Sequence, residues 1–317
     1  MTGNLLTILV TTYNRAIVLD RVLALLADYK AQGLSFNILV SDDCSTDNTL
    51  DICKHWEKTL RDFSVIQTPK NQGMDYNFKN VYENFDTPYC WLLGDTRHIS
   101  FDGLKSILDA LSTNHYDALI LRCREEMPQE RIVYNNVTTL MSQQGWHITN
   151  NASCVIPKRF IRPVLYQRYI GTTFLHMGIF VENICLLEKF NVLYMGDVYI
   201  TELDVHKAGW NKHPFLNFGK LWYTFIMSLP NQIPLSLKQQ VIYDHNTHTH
   251  ILDLKKMPAS KVVYGKVFVD NYRACRQWVP FVSHAPLWAY DLIILHTPTV
   301  VLRILHSTYK RFIQRKQ

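Results

Sequence analysis

The 317-residue chain is long enough for one large or two small domains with a full core, and 47% apolar against 19% charged residues excludes a disordered or fibrous class. Its seven cysteines (44, 53, 90, 123, 154, 185 and 275) are odd in number and form no CxxC pair, which argues for structural thiols in a reducing compartment. The net charge of +6 is uneven: residues 255–317 hold 11 Lys/Arg and 2 Asp, so a partner such as nucleic acid or an anionic membrane would meet the tail alone.

Met1–Asn4 has no basic region and runs straight into an apolar stretch, so no secretory leader is expected. Leu5–Val10 reads as a buried strand, and from Ile17 to Leu26 the apolar spacing turns helical. Phe36–Val40 is a second strand. A helix from about Thr49 to Leu60 follows, with Thr46 or Asp47 as its expected N-cap. Phe63–Ile66 is a third strand, Asn71-Gln72-Gly73 a turn, and Tyr76–Phe85 a helix. The run Tyr89–Leu93 is a fourth strand that ends in Gly94-Asp95-Thr96-Arg97-His98. Asp102–Leu111 is helical and Ala118–Leu121 is another strand. Five alternations of strand and helix predict βαβ units and a mainly parallel sheet covered on both faces.

Further on the pattern is less regular. Ile132–Tyr134 and Val192–Met195 read as strands, and Thr172 or Thr173 can cap a helix over Phe174–Leu187. From Leu216 the chain reads as helices broken by prolines. The expected division is a catalytic domain over 1–215, with halves 1–115 and 116–215, and a helical, basic region over 216–317. Polar residues collect after Val10, Val40 and Leu93, at the carboxyl ends of strands where a doubly wound fold holds its ligand. There is no GxGxxG after the first strand and no GxxxxGK[ST], so neither a dinucleotide fold nor a P-loop is supported.

Three segments carry a resemblance: Ile8–Arg15, Ile38–Thr49 with its Ser41-Asp42-Asp43-Cys44-Ser45 core, and Asn71-Gln72-Gly73. In order and spacing they are similar to the signatures of family 2 glycosyltransferases of GT-A fold. The run Asn71–Leu93 resembles the abequosyltransferase-like branch, which acts in bacterial surface polysaccharide synthesis. The resemblance implies a Rossmann-like sheet flanked by helices and transfer from a nucleotide sugar with inversion. It places Thr11 and Tyr13 against the nucleobase and Asp43, beside Asp42, as acceptor of a base N–H. A carboxylate reads a ring N–H well, and an aromatic face stacks a base. Arg15 would approach the phosphates.

The family ends its fourth strand in an acidic triplet whose last carboxylates bind Mn²⁺ or Mg²⁺. Here Thr96 and Arg97 stand at those positions and only Asp95 is acidic. Hard cations need oxygen ligands, whereas an arginine repels a metal and can instead clamp a phosphate. Three readings stand: Arg97 replaces the metal's charge, Asp95 and waters hold a metal, or Arg97 merely pairs with Asp95 or Asp102. The family's catalytic base opens a helix about 80 residues on. Here that place reads Gly171-Thr172-Thr173-Phe174-Leu175-His176, without the acidic pair. His176 is the nearest titratable group and Glu182 lies six residues further. His206 or Lys207 is expected near the diphosphate. His245, His248 and His250 read as a polar loop rather than a zinc site.

In the tail, Leu287–Leu305 is a poor membrane-spanning candidate because it contains Asp291, His296 and Pro298. Val300–Ile313 reads as an amphipathic helix suited to an anionic membrane surface, or as a helix packed on the catalytic domain. The expected protein is a cytoplasmic transferase, peripheral on the inner face of the membrane, that moves a sugar to a glycan or lipid-linked glycan. No cofactor is certain, and Mn or Mg is disfavoured by Thr96 and Arg97. The competing reading is a degenerate transferase that only binds nucleotide sugar or scaffolds a complex.

Overall fold

The structure, a computed structural model, describes residues 4–203 and 212–304. The chain divides into two compact units, Met1–Val205 and His206–Gln317.

Among the described residues the first unit holds ten strands and seven α-helices. In chain order they are β1 (Leu6–Thr12), α1 (Ala16–Ala31), β2 (Asn37–Asp42), α2 (Thr49–Thr59), β3 (Phe63–Gln67), α3 (Met74–Glu83), β4 (Tyr89–Leu92), β5 (Arg97–His98), α4 (Phe101–Ser112), β6 (Ala118–Arg122), β7 (Arg131–Tyr134), α5 (Val137–Gln144), β8 (Cys154–Pro157), α6 (Pro163–Tyr169), α7 (Leu175–Leu186), β9 (Val192–Tyr199) and β10 (Thr201–Glu202). Eight strands form one sheet in the order β3-β2-β1-β4-β8-β6-β9-β7. The β3-β2-β1-β4 half is parallel, as the alternating pattern predicts. The other half is mixed: β8 runs antiparallel between β4 and β6, and β7 closes the edge antiparallel to β9.

The central strands are continuous apolar runs because both faces are covered. Leu6, Ile8, Val10, Trp91, Leu93, Leu119 and Leu121 join one core with Leu19, Leu23 and Leu26 of α1 and Leu104 and Ile107 of α4. Trp91 is fully buried, and its indole N–H donates to the Ala152 carbonyl at 2.8 Å, which ties β4 to the turn before β8. Removing that side chain would cost about 3–5 kcal/mol.

β5 and β10 pair separately as a two-stranded antiparallel ribbon, with Glu202 opposite Arg97 and Thr201 opposite His98. Thus the polar sequence after β4 does not trail into solvent. It is folded back against the segment that follows β9, and Leu203 N–H donates to the Thr96 carbonyl at 2.8 Å.

The second unit is helical: α8 (Trp222–Ser228), α9 (Leu235–Thr249), α10 (Met257–Cys275) and α11 (Leu287–Asp291), with π-helical turns over Phe215–Leu221 and Leu292–His296. The 245–250 segment is not a loop. His245 lies inside α9, buried and stacked on Phe218 at 4.8 Å, and His250 is the left-handed cap of that helix. Its helical spacing with Val241, Ile242 and Thr249 on the buried face outweighs the polar composition. Among the described residues no group of three His, Cys, Asp or Glu can hold a metal, and no helix is long and apolar enough to cross a membrane. Asp204, His206, Lys207 and the tail beyond residue 304 lie outside the described residues.

Candidate active site

Three βα loops meet at the carboxyl ends of β1, β2 and β4, and polar side chains lock them together. Asp42 ends β2 fully buried; it accepts from the Ser45 amide at 3.2 Å, from the Ser45 hydroxyl and from Gln67 Nε2 at 2.9 Å. The Ser45 hydroxyl accepts from Asn14 N–H at 2.8 Å, and Asn14 Oδ1 accepts from Thr46 N–H at 2.7 Å. Asn14 has φ 52°, a left-handed conformation that asparagine tolerates. This turn carries Tyr13 outward, 42% exposed, beside the second loop. A large aromatic held in the open at a strand end is available for stacking.

Asp43 has a role that sequence alone did not give. Its carboxylate accepts from Gln72 N–H and Gly73 N–H, both at 2.9 Å, and from the Thr68 hydroxyl at 2.9 Å. The second motif therefore grips the third. Gly73 makes this possible: at φ 87° and ψ 173° it occupies a region essentially closed to other residues, and the turn brings two successive amides to one carboxylate. Losing these charge-assisted bonds would cost on the order of 3 kcal/mol. Thr11 pairs in register with Ser41, one residue inside the same edge.

At the end of β4, Gly94 turns at φ 80° and Asp95 follows, almost fully buried. Arg15, at the N-cap of α1, donates to Asp95 Oδ1 at 2.8 Å. Burial pushes the Asp95 carboxyl up, against the opposing pull of Arg15 and the Thr12 hydroxyl. Arg97 pairs with neither Asp95 nor Asp102: its guanidinium meets Glu202 at 2.7 Å across the β5–β10 ribbon. The two arginines thus stand at one strand end with different partners, Asp95 buried and Glu202 exposed.

This donor set does not suit a divalent cation. Such an ion takes carboxylate oxygens, and the one carboxylate at the motif already faces a guanidinium, with a second guanidinium two residues on. Lys79 lies on α3, 3.8 Å from Glu83 and over the Tyr166 ring.

The expected base region packs on the first turn of α3. Asp75 Oδ2 accepts from Gly171 N–H at 2.8 Å and Thr173 N–H at 2.9 Å, so an acid from α3 holds the loop that opens α7. An aspartate in a helix's first turn is so common that nothing in the sequence set Asp75 apart. His176 is buried; its Nε2 lies 3.1 Å from the Thr149 carbonyl and its ring meets Phe78 edge-on at 5.7 Å. Burial pushes its pKa down to about 4. A donor to Thr149 must carry the proton on Nε2, which leaves Nδ1 a lone-pair acceptor. Nδ1, Asp75 Oδ1 and Asn77 Oδ1 are all buried without a hydrogen-bond partner. Glu182 is not brought to this group: its carboxylate takes the Tyr169 hydroxyl at 2.6 Å and pairs with Arg168, holding α6 to α7.

The family model described as glycosyl transferase family 2 matches residues 7–166, half of the chain. The chain belongs to glycosyl transferase family 2. Among curated family relatives, validoxylamine A glucosyltransferase of Streptomyces hygroscopicus subsp. jinggangensis is 44% identical over 63 residues, covering 20% of this chain and 15% of that protein. Abequosyltransferase RfbV of Salmonella typhimurium is 28% identical over 205 residues, covering 62% of this chain and 58% of the relative. The matches therefore span less than two thirds of either relative's length. The GT-A fold is shared with Staphylococcus aureus TarS 1–349, solved in complex with UDP-GlcNAc, at a TM-score of 0.54 and 15% identity over 86% of this chain and 83% of that one. It is shared also with the Pyrobaculum calidifontis mannosyltransferase PcManGT, solved with GDP-Man and Mn²⁺, at a TM-score of 0.52 and 14% identity over 100% and 89%.

Proposed function

We propose that this family 2 member transfers a sugar from a nucleotide-sugar donor to a glycan or lipid-linked glycan of a bacterial surface polysaccharide, with inversion and without a metal ion. The observation that carries it is that Asn14, next to Tyr13, is tied to Ser45 and Thr46 while Asp43 holds Gly73, so that the three loops are fixed at one sheet edge. It sets an exposed aromatic and a ring of buried carboxylates where a doubly wound sheet takes its ligand. The nucleobase stacks on Tyr13 and meets the Asp43 loop, with Thr11 giving backbone contacts. The similarity to an abequosyltransferase supports the polysaccharide setting.

Arg97 and Arg15 then take the role that a cation plays elsewhere. As the glycosidic bond breaks, negative charge develops on the leaving diphosphate. A planar guanidinium pre-set there stabilises it without reorganisation. Arg97 exchanges its exposed partner Glu202 for phosphate at small cost, since surface pairs contribute only about 0–1 kcal/mol. Arg15 is held at the same strand ends by its pair with the buried Asp95. The acceptor hydroxyl attacks the anomeric carbon from the opposite face and gives its proton to His176 Nδ1, the unused acceptor of a ring that stays neutral at pH 7. Because Nδ1 is closed to solvent, the bound acceptor must uncover it.

A thermal-shift screen of nucleoside diphosphates and their sugars, with EDTA or Mn²⁺, tests this reading. One base and one sugar raising Tm equally in both conditions supports it. No shift with any nucleotide contradicts it, and binding without turnover favours the degenerate scaffold.

A further inference from the structure

Among the described residues, the second unit carries a set of exposed apolar side chains along two adjacent elements. Val263 and Val267 on α10, Trp288 and Leu292 on α11 and the π-helical turn, and Val300 and Val301 beyond it are all exposed, Trp288 at 68%. The opposite sides of the same elements are core: Phe268, Tyr272, Tyr290, Ile294 and Leu302 are buried. Two sets of contacts lay the 287–301 segment along α10. At one end Arg276 Nε donates to Asp291 at 2.6 Å and Tyr272 OH donates to it at 2.7 Å. At the other, Lys261 Nζ donates to the Thr297 carbonyl at 2.6 Å. Val263 and Val267 lie between those ties on α10, on either side of a break at Gly265 (φ 54°, ψ −129°), and Leu292 lies between them on the other element. Trp288 and Leu292 are one helical turn apart and share a face.

The charge around the strip has one sign. Residues 255–304 hold seven Lys/Arg and two Asp. Both aspartates face arginines: Asp291 pairs with Arg276, and Asp270 lies 3.5 Å from Arg273. Lys266 is exposed next to Val267 in the chain, and Arg303 is exposed two residues past Val301. A second copy of this face would bring like charges together. A surface with an apolar interior and a negative skin matches both features, and tryptophan is the side chain that settles at such a boundary.

We infer that the strip from Val263 to Val301 is a docking surface for an anionic lipid bilayer, with Trp288 as its inserted anchor and Lys266 and Arg303 on the headgroups. The amphipathic tail expected over Val300–Ile313 lies beyond residue 304 for most of its length, outside the described residues, and the strip adds a folded face of the unit to it. It does not depend on the transfer reaction, so loss of activity would leave it standing.

The test is co-sedimentation of the full chain with phosphatidylcholine vesicles with and without phosphatidylglycerol. Binding is expected with phosphatidylglycerol, weakening at high salt because headgroup attraction is screened. The double variant Trp288→Ser with Leu292→Ser should reduce partitioning by about tenfold or more, equivalent to about 1.4 kcal/mol. Bromine-labelled lipids give a second reading: they should quench tryptophan fluorescence in the native chain, and Trp288→Phe should remove the lipid-dependent part. This conservative variant keeps the readout valid if the serine pair unfolds. Three results would overturn the inference: no vesicle binding, binding in which Trp288 is not quenched, or a concentration-dependent dimer that Trp288→Ser abolishes while lipid does not bind.

Discussion

The strand-end loops and the α3–α7 seam are built from the same kinds of side chain, yet they are finished to different degrees. At the ends of β1 and β2, Asp42 and Asp43 are buried with both carboxylate oxygens occupied by protein donors. At the seam, Asp75 Oδ1 and His176 Nδ1 are equally buried and have none, while Asn77 Oδ1, also without a partner, belongs to a side chain whose amide donates to the Thr12 and Ser41 carbonyls at the sheet edge. A buried polar group without a partner costs about 1–3 kcal/mol, so two at one seam are a cost that does not serve stability. In the proposed mechanism the loops are a preorganised cradle, and the seam holds acceptors in reserve for a group that brings its own donors. A sugar hydroxyl is such a group.

The sharpest way to break this comparison is His176→Ala. If the seam accepts the acceptor's proton, kcat falls by about 10²–10⁴ while donor binding by thermal shift is unchanged. Near-full transfer in the variant would return His176 to a packing role. Next is Arg97→Ala, where loss of a preset charge at the leaving diphosphate should lower kcat by about 10². Arg97→Lys should recover only part, and Glu202→Gln should leave kcat within about threefold, because an exposed pair contributes little. Asp43→Ala acts on the cradle: unfolding in urea should show a loss on the order of 3 kcal/mol together with weaker nucleotide binding. A stability loss without a binding loss would make Asp43 a loop clamp alone.

A further effect is a pH dependence. Burial holds His147 at about 3 and His176 at about 4, against about 6.5 in the unfolded chain. Between those values the unfolded state binds the extra proton. Stability is therefore full above about pH 6.5 and falls as pH drops, by about 1.4 kcal/mol per pH unit for each histidine. Asp75 and Asp95 act in the opposite sense, since burial raises their carboxyl pKa and the folded state keeps protons longer. The histidine share is read as the difference between native chain and His147→Gln in urea midpoints between pH 7 and 5. Equal slopes would contradict the buried neutral state. His147 is fixed by Cys123 N–H donating to its Nε2 at 3.1 Å, with Gln144 Oε1 at its Nδ1.

How much of this was legible in the sequence follows from the range of each signal. β1, β2 and β4 are unbroken apolar runs because both faces are buried, and such runs announce themselves. β8 is four residues between two 3-10 turns and enters the sheet antiparallel, so no local period marks it. The ribbon joining Arg97 to Glu202 is two residues long on each side and about a hundred apart in sequence, a pairing that only the sheet's closure creates. The motif positions Tyr13, Asp43 and Gly73 were readable because their chemistry is local. That Asp43 grips Gly73 was not, because a carboxylate's partner amides lie on another loop. Asp75 was hidden by its ordinariness, and Glu182 looked available because nothing in a linear sequence shows Tyr169 and Arg168 folding onto it.

The central claim is nucleotide-sugar transfer with arginine in place of a metal. It is tested most directly by donor turnover in EDTA, following release of nucleoside diphosphate across a panel of nucleotide sugars. The predicted result is release from one donor at the same rate in EDTA as in Mn²⁺, collapsing in Arg97→Ala. Turnover that EDTA abolishes and Mn²⁺ restores, with Arg97→Ala unaffected, would contradict it.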